Sequence, residues 1–406
     1  MRVAFLTQWF EQDGADFIGG IARALVDQGA EVAVICGTKT YSGVAAQPFG
    51  PRFGRLGYRS DLPDMSVVRY PFINSHDRSS LHRFATYGSF AASSLDAIPS
   101  IRSADVVLAY CSPATAAAAA LLSRGLRGAP YVLMVQDVWP DSIFATGFLN
   151  GSITSRSAEL LVGEYMALAY RHASQVTALS PGMRDLLISR GTDPSRTHVI
   201  YNWTDEEAAD QVRLAPRNIE EPLHLMYAGN IGPAQNLTNI LEGLALLPQT
   251  QIRFSLVGDG ASIDELKEQC ARLHLENVRF LGRVSRLDIP HLLSDADLHL
   301  VSLADTDLFR ITLPSKLQSL LAAGLPILSV APGEVGEIVS TSGAGFAAPP
   351  GDPRALAKVL SQAIQTAPDH LVEMGEAGRE KYKAQMSREI NAHRLFTILA
   401  NAAAEG

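Results

Sequence analysis

The sequence predicts an α/β protein of two doubly wound domains, and three observations carry that expectation. Its 406 residues exceed what one hydrophobic core normally organises, so two domains of roughly 200 residues are expected. Short, near-continuous apolar runs alternate with helical patterns, which implies parallel sheets covered on both faces. The alternation occurs twice, once in each half, and hydrophobic residues make up 47% of the chain.

Taken in order, the first half carries strand patterns at residues 3–6, 32–36, 106–109, 132–135, 176–179 and 199–201. A helical pattern through Ile21, Leu25 and Val26 to Gly29 follows the first run and opens on Gly19-Gly20. Residues 41–65, rich in Gly, Pro, Arg and Asp, read as a long loop. The run 114–122 is long for a strand and short for a membrane span, so a buried helix explains it. The second half repeats the scheme at 223–227, 252–257, 278–281, 298–303, 326–330 and 345–347. Between them, 206–222 is polar, acidic and proline-containing and reads as a linker, so the domains are expected at 1–205 and 223–388. After Pro368 the pattern is helical to the end.

Two segments of the second half carry candidate binding chemistry. Tyr227-Ala-Gly-Asn-Ile-Gly-Pro-Ala-Gln-Asn236 and Pro314-Ser-Lys-Leu-Gln-Ser-Leu-Leu-Ala-Ala-Gly-Leu-Pro326 each follow a strand pattern and precede a helical one. Unpaired N–H groups at helix starts attract anions, and two such ends suit one diphosphate. Gly229 and Gly232 let the backbone turn sharply and approach a ligand without a Cβ in the way. Lys316 adds a charge two residues into the second helix. An ordinary pair of strand-to-helix turns is the plainer alternative for either segment alone.

These segments, with Val135-Gln-Asp-Val-Trp-Pro-Asp-Ser142 and Val199-Ile-Tyr-Asn-Trp-Thr-Asp205, span almost the whole chain. As an ordered set they resemble family 4 retaining glycosyltransferases of the two-domain GT-B fold. The resemblance is nearest to the fucosaminyltransferase-like branch of bacterial O-antigen and capsule synthesis. It implies two Rossmann-like domains facing across a cleft, with the last helix, 389–404, crossing back onto the first domain.

The resemblance also assigns roles. It places Gly19 and Gly20 against the donor's phosphates and sugar, and Gln136 where many relatives carry a donor-contacting His. Asp137 is then the candidate for acceptor orientation or weak base work. Lys316 is the expected charge-neutralising group at the leaving diphosphate, assisted by amides near Gly229 to Gly232 and Leu313 to Lys316, with Ser315 among them. Asn230 and Gln235 occupy positions where many members carry Arg and Lys, while Ile311 and Ser319 stand where two glutamates are usual. On that account Arg283 or Arg310 reads as a helper of Lys316, and Gln318 or Ser319 as hydrogen-bonding the ribose. No cofactor and no metal are expected; Asp295-Ala-Asp297 matches a metal-binding pattern but reads as a helix-to-strand cap. The implied donor is a nucleotide sugar, by family expectation UDP-linked, and the implied acceptor a polyprenyl-diphosphate-linked saccharide. Basic residues over 52–83 and an apolar stripe at Leu81, Phe84, Tyr87 and Phe90 suggest peripheral contact with an anionic membrane.

Bulk properties exclude other classes. Net charge is −8, with 17 Lys+Arg against 20 Asp+Glu in residues 1–210 and 17 against 22 beyond. An acidic chain without a basic tail is not expected to bind nucleic acid. Three widely separated cysteines argue for a reducing compartment, and no run approaches 18 apolar residues, so a cytoplasmic location is expected. Two alternatives stay open at this point: a UDP-sugar 2-epimerase-like enzyme, and a non-catalytic nucleotide-sugar-binding protein.

Overall fold

The computed structural model describes residues 1–11, 17–39, 51–73, 80–141, 153–214, 218–285 and 288–405; the side chains of 80–84 and 153–158 lie outside that description. The chain divides into two compact units, Met1–Tyr201 with Glu389–Gly406, and Asn202–Arg388. Residues 206–222, read from sequence as a linker, fall inside the second unit, and a short helix Glu206–Ala209 begins there with Asp205 capping Ala208 N.

In the first unit nine strands form one sheet: β1 (Arg2–Leu6), β2 (Glu31–Gly37), β3 (Arg52–Phe53), β4 (Gly57–Asp61), β5 (Met65–Tyr70), β6 (Val106–Cys111), β7 (Tyr131–Val135), β8 (Gln175–Ala178) and β9 (Thr197–Val199). Their order is β3-β4-β5-β2-β1-β6-β7-β8-β9, parallel throughout except where β4 pairs with β3 and β5. Strands β6 and β7 are buried at every residue, which is why they read as unbroken apolar runs. Helix Pro181–Ser189 follows β8 and starts where Ser180 accepts from Met183 N, with proline at the first helical position.

Strands β3 and β4, and the first residue of β5, occupy residues expected to be a loop. The reason is local: Gly57–Asp61 is mostly polar and only Gly57 in it is buried, so no apolar alternation marked it. Residues 41–50 of that expected loop lie outside the described residues. Arg69, counted among the basic surface groups, is 1% exposed; its Nη1 donates to the carbonyls of Phe10 and Gly37 and to Cys36 Sγ. Phe90 is fully buried and Tyr87 packs on Trp139 with ring centroids 5.6 Å apart. These two members of the apolar stripe therefore pack within the first unit. His76 and Arg78 lie outside the described residues, as do the side chains of Leu81, His82, Arg83 and Phe84.

Helix Arg388–Ala404 packs with the first unit from Glu389 onward. Asn391 Oδ1 accepts from Tyr201 N at 3.0 Å, and Gln175 Nε2 donates to Glu405 at 3.4 Å.

The second unit holds β10 (Leu223–Ala228), β11 (Ile252–Val257), β12 (Val278–Gly282), β13 (Leu298–Ser302), β14 (Ile327–Val330) and β15 (Gly345–Ala347). The order is β12-β11-β10-β13-β14-β15, all parallel. On one face Leu225, Phe254, Leu298 and Leu300 pack against Leu237, Ile240 and Leu244 of helix Leu237–Leu244 and Leu356 and Leu360 of helix Pro353–Gln365. The other face carries Met226, Val257 and Ala296. Both sheets thus have the doubly wound arrangement that the periodicity predicts. In such sheets ligands bind beyond the carboxyl ends of strands, where the strand order reverses. That point lies between β10 and β13 in the second unit and between β1 and β6 in the first.

Candidate functional site

The reversal between β10 and β13 opens a cavity of about 400 Å³ bordered by both sequence segments of interest. Tyr227, Gly229, Asn230 and Gln235 come from the β10 side, Ser302 and Leu303 from the end of β13, and Pro314, Ser315, Lys316 and Ser319 from the helix opposite. A deeper apolar part is bordered by Met226, Ile289, Leu293 and His299.

Lys316 is the central group. It sits in the first turn of helix Ser315–Ala322, and its Nζ lies 3.1 Å from the centroid of the Tyr227 ring. A Cβ built on Gly229, where φ is +147°, would fall 3.1 Å from that Nζ and 3.2 Å from Cε. Glycine therefore makes the space the ammonium occupies. Among the described residues no carboxylate pairs with Lys316 within salt-bridge distance. Desolvation lowers its pKa well below the usual lysine range, while the Tyr227 face supplies electron density beside the ammonium. An anion entering the cavity would favour the charged form.

The β10 turn is rigid for a reason the sequence only hinted at. Tyr227 Oη donates to Asn230 O at 2.6 Å, Gly229 N donates to Val257 O at 2.9 Å, and Ile231 N donates to Asp259 O at 2.9 Å. Gln235 Oε1 accepts from Gly232 N at 3.1 Å and Asn230 Nδ2 at 3.3 Å. Three of the amides expected to face a phosphate are thus already bonded inside the protein. The helix after this turn starts only at Leu237, behind a short 3-10 turn and a left-handed Asn236. Helix dipole and free amides therefore come from Ser315–Ala322 rather than from both helices.

Gly258 and Gly260 let this turn and the loop after β11 touch. A Cβ on Gly258 (φ +129°) would stand 1.9 Å from Gly229 O, and one on Gly260 2.0 Å from Ile231 O. Their Gly-Asp-Gly spacing beside a second glycine turn was the available signal. We expect Gly258→Ala to destabilise the second unit by roughly 2 kcal/mol or more, from backbone clash and a strained φ together, measured by urea unfolding.

Other expected site residues are elsewhere. Leu313 is 4% exposed and packs inward. Gln318 is 2% exposed, and in the amide orientation that satisfies its surroundings it donates to Pro314 O at 3.0 Å and Ser315 O at 3.3 Å, bracing the helix start. Arg310 pairs with Asp305 at 2.6 Å and Arg283 with Asp259 at 3.4 Å; neither borders the cavity. Asp297 accepts from His224 N at 2.7 Å, a bracing contact at the start of β13.

In the first unit, Gln136 and Asp137 follow β7 at the carboxyl edge. Burial raises the Asp137 pKa above the ordinary aspartate value, opposed by Ser112 Oγ, which donates to its Oδ2 at 2.6 Å. Gln136 is 9% exposed. Gly19 is buried and Gly20 half-buried near the start of helix Phe17–Asp27. Asp141 pairs with Arg190 at 2.7 Å, so it braces the edge.

Residues 14–203 match the Glycosyl transferase 4-like domain, and residues 211–381 match Glycosyl transferases group 1. The chain is a glycosyltransferase. The enzyme is 31% identical over 278 residues to the probable glycosyltransferase WbjE of Pseudomonas aeruginosa, a match spanning 64% of this chain and 66% of that protein. It is 27% identical to the putative colanic acid biosynthesis glycosyl transferase WcaI of Escherichia coli, over 86% of this chain and 88% of the relative. The crystal structure of Anabaena HepE in complex with UDP and glucose superposes with a TM-score of 0.68 at 18% identity, covering 99% of this chain and 100% of that one. The glycosyltransferase thus has the GT-B fold. Among the described residues no helix is long and apolar enough to cross a membrane.

Proposed function

We propose that this glycosyltransferase moves a hexose or N-acetylated amino sugar from a UDP-linked donor to a lipid-linked saccharide, with retention at the anomeric carbon, in surface-polysaccharide assembly. The observation that carries the reading is the cavity where Lys316, Gly229 and the first turn of Ser315–Ala322 meet. It has the parts a leaving diphosphate needs: a cation without a carboxylate partner among the described residues, a backbone with no side chain in the way, and a helix start. WcaI's assignment to colanic acid biosynthesis and the UDP and glucose bound to HepE favour the same substrate class. Placement in the fucosaminyltransferase-like branch rests on the motifs alone.

During transfer the anomeric C–O bond breaks, positive charge spreads over the sugar ring, and negative charge grows on the departing diphosphate. Lys316 and the helix amides stabilise that growing charge more than the bound donor, which is what lowers a barrier. Asp137, on the first unit, is proposed to orient the acceptor hydroxyl; burial raises its pKa, which makes the ionised carboxylate a stronger proton acceptor than an ordinary aspartate. Contact with an anionic membrane is part of the proposal, because the acceptor carries a lipid.

A thermal-shift series against nucleotide sugars tests the donor assignment, since a ligand that binds the native state raises the melting temperature as its concentration exceeds Kd. UDP-sugars are expected to stabilise the protein, and a panel in which another nucleotide does so alone would reassign the base. Transfer is expected to persist in EDTA. Activity abolished by EDTA and restored by Mn²⁺ would refute the metal-independent reading.

A further inference from the structure

Exposed leucines gather on one side of the first unit. Among the described residues eleven large apolar side chains are exposed, and five of them lie on two neighbouring helices. Leu122 and Leu126 belong to the end of helix Ala118–Gly125, and Leu160, Leu161 and Leu168 to helix Ile153–His172; all five are between 43% and 73% exposed. These helices follow β6 and β7 in the parallel run β6-β7-β8, so right-handed crossovers place both on the same face of the sheet. Tyr165 Oη ties them together, donating at 3.1 Å to Ala114 O just before the first helix. Leucines concentrated in this way mark an interaction surface, whereas scattered ones would not.

Helical spacing sets what the surface presents. Met166, Ala169 and Tyr170 are buried, so Leu161, Glu164, Leu168 and Arg171, at steps of three, four and three, line the exposed side. Glu164 and Arg171 carry opposite charges into the leucine stripe, about 10 Å apart along the axis. Among the described residues neither has an ion-pair partner. They lie equally far on either side of the midpoint between Ala167 and Leu168. A twofold axis at that midpoint would cross the helix with an antiparallel copy of itself. Each glutamate then meets the partner's Arg171, with both copies of Leu168 at the centre.

We propose that this face is a self-association surface on which two copies of the chain pair across a twofold axis, covering the leucines and matching Glu164 with the partner's Arg171 twice. The stripe is self-complementary in charge, which is what an isologous interface requires. An anionic bilayer is the poorer occupant here, because it would strip water from Glu164 without offering it a cation.

The test uses the full chain, with sedimentation velocity over roughly 1 to 100 µM to read the monomer–dimer equilibrium. Wild type is expected to form a dimer that dissociates on dilution. Glu164→Arg and Arg171→Glu should each weaken it about tenfold or more, since each sets like charges opposite one another. The double variant Glu164→Arg/Arg171→Glu should restore it, an outcome that a general loss of helix stability would not produce. Leu161→Ser/Leu168→Ser should give a monomer whose circular dichroism is unchanged. A wild type that stays monomeric throughout overturns the proposal, as does a dimer indifferent to charge reversal. Binding to phosphatidylglycerol vesicles that is lost in Leu161→Ser/Leu168→Ser would assign the face to a membrane and overturn it as well.

Discussion

Replacing Lys316 by alanine is expected to lower the transfer rate about 10²- to 10³-fold while the protein stays folded. The magnitude is that of one preorganised donor at a developing anion, about 3–4 kcal/mol of barrier. Lys316 lies over Tyr227 with no carboxylate partner among the described residues, so its removal leaves no buried anion behind. That is why the cost should fall on turnover rather than on stability. Single-turnover kinetics with saturating donor check it; wild-type rates in the variant would remove Lys316 from the chemistry. Lys316→Arg should not rescue fully, because the ammonium sits 3.1 Å from the ring centroid and a guanidinium there needs more room.

Acid should destabilise the second unit through His299, by up to roughly 5 kcal/mol near pH 3. Burial on β13 pushes its pKa down from the ordinary 6.5 to about 3, with His224 nearby adding to the effect and a contact with Ala296 opposing it. The imidazole is 1% exposed, and among the described residues neither ring nitrogen has a hydrogen-bond partner. His224, itself lowered by burial, faces Arg253, Asp295 and Asp297, so these are the charges that modulate the pair. The sign follows from proton binding. Above pH 6.5 both folded and unfolded His299 are neutral and nothing changes. Between 6.5 and 3 the unfolded chain takes up a proton that the folded one refuses, so stability falls by about 1.4 kcal/mol per pH unit.

His299→Leu removes that linkage and also removes two buried polar atoms, so it should be neutral or stabilising at pH 7. Between pH 7 and pH 5 wild type should lose about 2 kcal/mol more than the variant, as read by urea denaturation at each pH. Parallel curves for the two proteins would show that His299 is protonated without penalty. Because His299 borders the cavity, nucleotide affinity measured beside stability separates a binding effect from a folding one.

Two lessons concern what can be read from residues in a row. The strands of both parallel sheets were legible because burial on both faces forces unbroken apolar runs, as in Val106–Cys111 and Leu298–Ser302. The strand Gly57–Asp61 was not, because only its first residue is buried and a largely exposed strand needs no apolar pattern. Arg69 looked like a surface charge for a similar reason: its type is usually solvated, and only pairing between β5 and β2 shows that it is enclosed.

By itself the sequence determined the fold class, the place of Lys316 at a helix start, and the glycine at position 229, since local backbone needs and burial periodicity are written residue by residue. Tertiary structure decided which groups remain free to meet a ligand. The amides of Gly229, Ile231 and Gly232 were claimed by Val257, Asp259 and Gln235, and Arg283 and Arg310 by aspartates, whereas Ser319 gained Thr204 from 115 residues away. Hydrogen-bonding capacity is finite, and long-range packing assigns it before any ligand arrives.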